Sequence, residues 1–148
     1  MFRRAVDTLL SRTEQADVVA EIAKAETRTS GEIKVHVETR CKGGDPLRRA
    51  TALVSKLGLD KTKHRNGVLL YVAVGDRKFA VLGDRAVHDR ATQALWDEIA
   101  KKLGEDFRRG AYRDGFVGAV RRVGDVLAEH FPPGAGDSHP VSNEITGR

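Results

Sequence analysis

Seven consecutive apolar residues, Val68-Leu69-Leu70-Tyr71-Val72-Ala73-Val74, leave this chain few ways to fold. The run has strand length and no alternating polar positions, so it suits a strand covered on both faces and predicts the centre of a sheet. Gly75-Asp76 can supply the special backbone angles of a two-residue hairpin loop, after which Lys78-Phe79-Ala80-Val81-Leu82-Gly83 returns antiparallel. With that loop, Leu82 and Gly83 fall opposite Leu69 and Val68, and Asn66, Gly67 and Asp84 gather at the open end of the hairpin.

The elements around this hairpin follow from capping and periodicity. Ser11-Arg12-Thr13-Glu14 has capping-box spacing and predicts a helix over 12–27, with Val18, Val19, Ile22 and Ala25 as its apolar stripe. Glu32-Ile33-Lys34-Val35-His36-Val37-Glu38 alternates, which predicts a strand with Ile33, Val35 and Val37 inward and His36 on a partly wet side. Asp45-Pro46 starts a second helix that Gly58 can end. Strand, helix and strand in that order imply a right-handed crossover and a parallel pair, so with the hairpin the sheet is mixed.

Val87, Ala91, Leu95, Ile99 and Leu103 recur every four residues and predict one long third helix ending near 104–110. Phe116, Val120, Val123 and Leu127 predict a last helix, closed by Phe131-Pro132-Pro133. Gly115, Gly118 and Gly124 inside it call for close approach of neighbouring elements. The expected fold class is therefore α/β, a small mixed β-sheet with α-helices on both faces. One domain is expected over 1–131, followed by a Gly-, Ser-, Pro- and Asn-rich mobile tail over 132–148.

A chain of 148 residues can bury a real core without staples. The lone Cys41 excludes an intramolecular disulfide and a Cys-based zinc site. The net charge of +5 leaves a phosphate-bearing or protein partner open, but the basic residues are scattered and only 5% of residues are aromatic, which disfavours nucleic acid. No stretch reaches transmembrane length and Met1-Phe2-Arg3-Arg4-Ala5 leads into no apolar h-region, so a cytoplasmic monomer is expected.

Four stretches, T-S-G-E-I-K-V-H-V-E at 29–38, K-T-K-H-R-N-G-V-L-L-Y-V-A at 61–73, D-R-K-F-A-V-L-G-D at 76–84 and F-R-R-G-A-Y-R-D-G-F at 107–116, together resemble the TPM domain family. That family is named for thylakoid lumen, photosystem-repair and acetylcholine-receptor-associated members and is often labelled TPM phosphatase. The resemblance implies an α/β sandwich and, because some members bind divalent cations such as calcium or hydrolyse phosphate esters, those two activities. Many members carry an Asp immediately before the Asn-Gly, where this chain has Arg65. Many also have an N-terminal strand bearing aspartates, for which Asp7 is a loose match.

Strand directions put Glu32, Asn66 and Asp84 at one end of the sheet, where calcium or magnesium would accept their oxygens. The opposite end holds Glu38, Asp45 and Asp76 as an alternative set, at the carboxyl ends of the parallel strands where open α/β sheets commonly bind ligands. Two functions follow. One is a TPM module of unknown physiological role that binds a divalent cation or a partner. The alternative is a metal-dependent phosphatase-like hydrolase acting on phosphomonoesters, with Arg65 or Arg85 offsetting phosphate charge and His64 or His88 moving protons. No cysteine, serine or histidine motif supports covalent catalysis, and no P-loop or Gly-x-Gly-x-x-Gly motif is present.

Overall fold

The computed structural model describes residues 4–134, 139 and 141–147. Strands β1 (Glu32–Glu38), β2 (Gly67–Ala73) and β3 (Lys78–Gly83) form one sheet in the order β1-β2-β3, with β2 buried along its whole length. β1 runs parallel to β2 with Ile33 opposite Val68. β3 runs antiparallel with Leu82 opposite Leu69 and Gly83 opposite Val68, which is the register the hairpin implies. Helices α1 (Arg12–Glu26), α4 (Gln93–Arg108) and α5 (Tyr112–His130) cover one face over a core that includes Ile22, Trp96, Phe116 and Val120. On the other face Leu69, Tyr71 and Ala73 pack under α2 (Pro46–Lys56) and the short 3-10 turn at Leu59–Lys61.

The caps form where the sequence puts them. Ser11 and Glu14 exchange the two capping-box hydrogen bonds, and the Asp45 carboxylate accepts from the Leu47 and Arg48 amides ahead of Pro46. The hairpin keeps the expected register, but its loop is the four residues 74–77 and not the two residues Gly75-Asp76, and the left-handed angle falls on Arg77 (φ 54). Gly75 is there for close approach instead, since a Cβ would stand 2.7 Å from the Thr39 carbonyl oxygen.

The single long third helix expected after Asp84 is two helices, α3 (Arg85–Arg90) and α4, because Ala91 is extended and Thr92 caps α4 through its hydroxyl. The four-residue spacing reads through this break because Val87 and Ala91 are both buried on its near side. In α5, Gly124 lets α1 approach, as a Cβ would lie 2.8 Å from that of Ala25, whereas Gly118 faces open space and nothing in the structure accounts for it.

The second departure concerns β1, whose outer side is not wet: Lys34 and His36 are buried together with Ile33, Val35 and Val37. The cover is the segment 141–147. The Val37 amide donates to the Thr146 carbonyl at 2.9 Å and the Thr146 amide to Val35 at 3.0 Å, so Thr146 pairs with the free edge of β1. Lys34 Nζ donates to the carbonyls of Ser142 and Glu144, and Arg4 donates to that of Ile145. These residues belong to the stretch expected as a mobile tail, of which 135–138, 140 and 148 lie outside the described residues. Among the described residues no helix is long and apolar enough to cross a membrane.

Val72 sits at full burial in the central strand, so Val72→Asp places an unpaired carboxylate in the core. That cost rivals the roughly 5–15 kcal/mol holding a domain folded. The expected outcome is loss of the cooperative thermal transition, and a variant melting like wild type would contradict the assignment of β2 as the centre.

Candidate functional site

Asp84 lies where the sequence puts it, just past β3, and its amide donates to the Gly67 carbonyl at 2.8 Å. Its carboxylate does not cap α3. Arg65 holds it with two hydrogen bonds, from Nε at 2.6 Å and Nη2 at 3.0 Å. Arg65 has a left-handed backbone (φ 52), and its carbonyl accepts from Ala86 at 3.0 Å. His88 and Arg65 border the same shallow cleft. Asn66 is fully buried; its amide donates to Ser30 Oγ at 3.0 Å while its side-chain oxygen has no partner. Glu32 opposes Gly67 across the β1–β2 pair. The strands leading to Glu32 and Asp84 are the two outer ones, two inter-strand spacings or about 10 Å apart.

The alternative carboxylates each serve a separate local purpose. Asp76 accepts from Arg40 at 2.9 Å and from the Cys41 amide at 2.7 Å, and Asp45 caps α2. Glu38 is clasped by Arg49 at 2.9 and 3.0 Å, by the Tyr71 hydroxyl and, at 3.2 Å, by His36 Nε2. Burial by itself would raise the Glu38 pKa, but these donors outweigh it and hold the carboxyl at about 2. Burial lowers the His36 pKa against the pull of Glu38, and burial with Glu38 raises that of Tyr71.

Charge is least satisfied at the start of β1. Glu26, the last residue of α1, turns its Oε2 to accept from the Ile33 amide at 2.8 Å, and so covers the one stretch of β1 edge that Thr146 does not reach. This brings Glu26 beside Glu32, which is 1% exposed; neither Glu32 oxygen makes a well-formed hydrogen bond, and the groups closest to making one are the Glu26 carboxyl and the Val141 backbone. His139 Nδ1 is 3.3 Å from Glu32 and 3.7 Å from Glu26. One ligand atom from each of the three lies within 4.8 Å of the others. Burial, then the neighbouring Glu26, pushes the Glu32 carboxyl up to about 8, and burial raises Glu26 as well. Lys34, its own pKa lowered by burial, is the nearby positive charge.

Of these three, the sequence reading singled out only Glu32. Glu26 carried a signal, since it follows Val18 and Ile22 at successive steps of four and therefore shares their buried face. His139 carried none: it stands in a stretch with no periodicity.

The TPM domain model matches residues 5–126, and the chain belongs to that family. It is similar to the BA42 protein from the psychrophilic bacterium Bizionia argentinensis, with 35% identity over 93% of this chain and 94% of that one and a TM-score of 0.83. The N-terminal domain of a P. gingivalis protein (23% identity, 85% of this chain, 83% of that one, TM-score 0.67) shares the fold. So does the N-terminal domain of the cg2496 protein from Corynebacterium glutamicum (15% identity, 87% of this chain, 80% of that one, TM-score 0.64). No curated protein matches the chain.

The Glu38 cluster makes a pH prediction with a definite sign. A carboxylate whose pKa drops from 4.5 to about 2 on folding stabilises the fold above pH 4.5, and this stabilisation is lost as pH falls toward 2. At 1.36 kcal/mol per unit that is on the order of 3 kcal/mol. Glu38→Gln is expected to lower stability at pH 7 and to flatten the acid limb in denaturant titrations between pH 5 and 2. Parallel acid limbs for variant and wild type would contradict it.

Proposed function

We propose that this TPM domain is a divalent-cation-binding module, with Glu26, Glu32 and His139 as protein ligands, and not a phosphoester hydrolase. The observation carrying this reading is the Glu32 carboxyl, buried with no well-formed hydrogen bond and set beside a second buried carboxyl and an imidazole within 4.8 Å. Buried charge is normally paired or metal-bound, because desolvating it alone is costly. Ligand atoms up to 4.8 Å apart suit an ion between them, since two ligands at metal–oxygen distances of about 2.3–2.6 Å span up to about 5 Å. An imidazole with two carboxylates is a mixed nitrogen and oxygen set. It favours manganese or zinc over the calcium or magnesium that an all-oxygen set at Glu32, Asn66 and Asp84 would select.

Two features argue against hydrolysis. A catalytic metal keeps an open coordination position facing substrate, whereas Glu26 and Glu32 are both buried and only His139 of the three is exposed. Asp84, the carboxylate on the open end of the hairpin, is already paired with Arg65, which disfavours a second ion there although the Asn66 side-chain oxygen is unpartnered.

Titration with manganese, zinc, calcium and magnesium, followed by thermal unfolding and backbone amide signals, tests the reading. An ion at 100 times its Kd should stabilise the fold by about 2.7 kcal/mol and move the signals of Ile33 and His139. Glu32→Gln should abolish the response. Asp84→Asn should keep the response while lowering metal-free stability, because Arg65 loses its charged partner. An unresponsive protein at millimolar metal would instead mean that Glu26 and Glu32 share a proton, and signals centred on Asp84 would return the ion to the open end of the hairpin. Chelator-sensitive turnover of a phosphomonoester, lost in Glu32→Gln, would favour the hydrolase.

A further inference from the structure

At the far end of the sheet, past the hairpin turn, a cleft of about 440 Å³ opens between the helical layer and β3. Its walls come from five separate parts of the chain. Leu9 follows the first 3-10 turn, Val74 ends the central run, and Phe79, Phe107 and Tyr112 come from β3, α4 and α5. All five are only partly buried. The chain has five Phe, two Tyr and one Trp, so three of its few aromatic rings border this one concavity.

The rings form a preset wall. Phe107 meets Phe79 edge-to-face with centroids 5.2 Å apart and Tyr112 in the same way at 5.2 Å, and Phe116 backs it from the core at 5.1 Å. Such contacts fix ring orientation without closing the space in front of them. Gly104 lines the cleft from α4, and a Cβ there would press on the Phe79 ring at 3.3 Å. Glycine is otherwise unfavourable in a helix interior, so its presence here is consistent with a ring that must stay where it is.

Charge at the rim gives the cleft its selectivity. Arg77 and Arg108 border it, both are exposed, and neither guanidinium has an ion-paired or hydrogen-bonded partner among the described residues. Arg108 thereby differs from Arg109 beside it, which is spent on Asp106. Among the described residues no carboxylate lines the cleft. A volume near 440 Å³ falls within the range of small-molecule sites, which combine apolar walls with a few polar groups that fix orientation.

We propose that this cleft binds a small anionic amphiphile, whose aromatic or acyl body lies against Phe79, Phe107 and Tyr112 and whose carboxylate or sulfonate is held by Arg77 and Arg108. Planar guanidinium groups suit such anionic heads, and the walls exclude water from the body. The site is separate from Glu26, Glu32 and His139 and does not depend on the cation reading.

The test uses anilinonaphthalene sulfonate, a fluorescent aromatic monoanion, with the folded wild-type chain. Saturable fluorescence with one site per chain is expected, displaced by octanoate but not by octylammonium at equal concentration. The double variant Arg77→Gln, Arg108→Gln removes two exposed, unpartnered charges, so its melting temperature should hold while affinity falls tenfold or more. Tyr112→Ala should weaken binding without altering the preference for anions. Equal displacement by octanoate and octylammonium, or unchanged affinity in the double variant, would overturn the proposal. Absence of saturable binding at millimolar probe would do the same. Sedimentation with anionic phospholipid vesicles but no binding of the free anions would also refute it, in favour of a bilayer surface.

Discussion

A three-stranded sheet has two edges for one interior strand, and satisfying the amides of the β1 edge shapes much of what surrounds it. An unpaired edge invites another chain, so proteins cover or pair it. Here the cover is assembled from two sources. The Glu26 carboxylate takes the Ile33 amide, and Thr146 takes the backbone of Val35 and Val37. The solution determines where α1 must end and what the segment 141–147 lies against. It also explains why alternating residues of β1 that look solvent-facing in the sequence are buried.

The same solution creates the electrostatic conflict at the candidate site. A carboxylate used as an edge cap is fixed by its amide partner and cannot swing away from a neighbour. Glu32 begins the strand that Glu26 caps, so the backbone brings the two acids together, and a proton on Glu32 relieves the repulsion between them. Lys34 offsets part of the charge, but its Nζ is directed to the carbonyls of Ser142 and Glu144. With its carboxyl pushed up to about 8, Glu32 holds a proton near neutrality, and a divalent cation bound here would displace it, which is the physical basis of the function proposed above.

The sequence made legible whatever depends on local chemistry. Ser11 with Glu14, Asp45 with Pro46, and the apolar run from Val68 each have one sterically sensible reading, and each forms as read. Where two local signals compete, the sequence is ambiguous: the spacing of Val87, Ala91 and Leu95 favours a continuous helix, while Thr92 favours a cap, and the cap prevails. Pairings between distant segments leave almost no local trace. His139 and Thr146 reach β1 from more than 100 positions away, and nothing in a stretch of Gly, Ser and Pro announces it. The scattered arginines are a milder case. Arg113 and Arg121, two of these, pair with Asp17 and Glu21 across the α1–α5 seam, in surface pairs that add little stability each.

Arg65 shows how one substitution alters what an end of the sheet can hold. TPM sequences that carry Asp before the Asn-Gly would set a second carboxylate near the position of Asp84. Two carboxylates at close range repel, and a divalent ion relieves the repulsion while gaining oxygen ligands. An arginine at that position supplies the positive charge from within the chain, and its two donors match both oxygens of Asp84 at 2.6 and 3.0 Å. The guanidinium keeps its charge near neutrality, so the pairing needs no bound ion. The open end of the hairpin therefore has a positive charge built in, whereas the acids beside β1 have, among the described residues, only Lys34 and His139 close by, which is why the cation is proposed there.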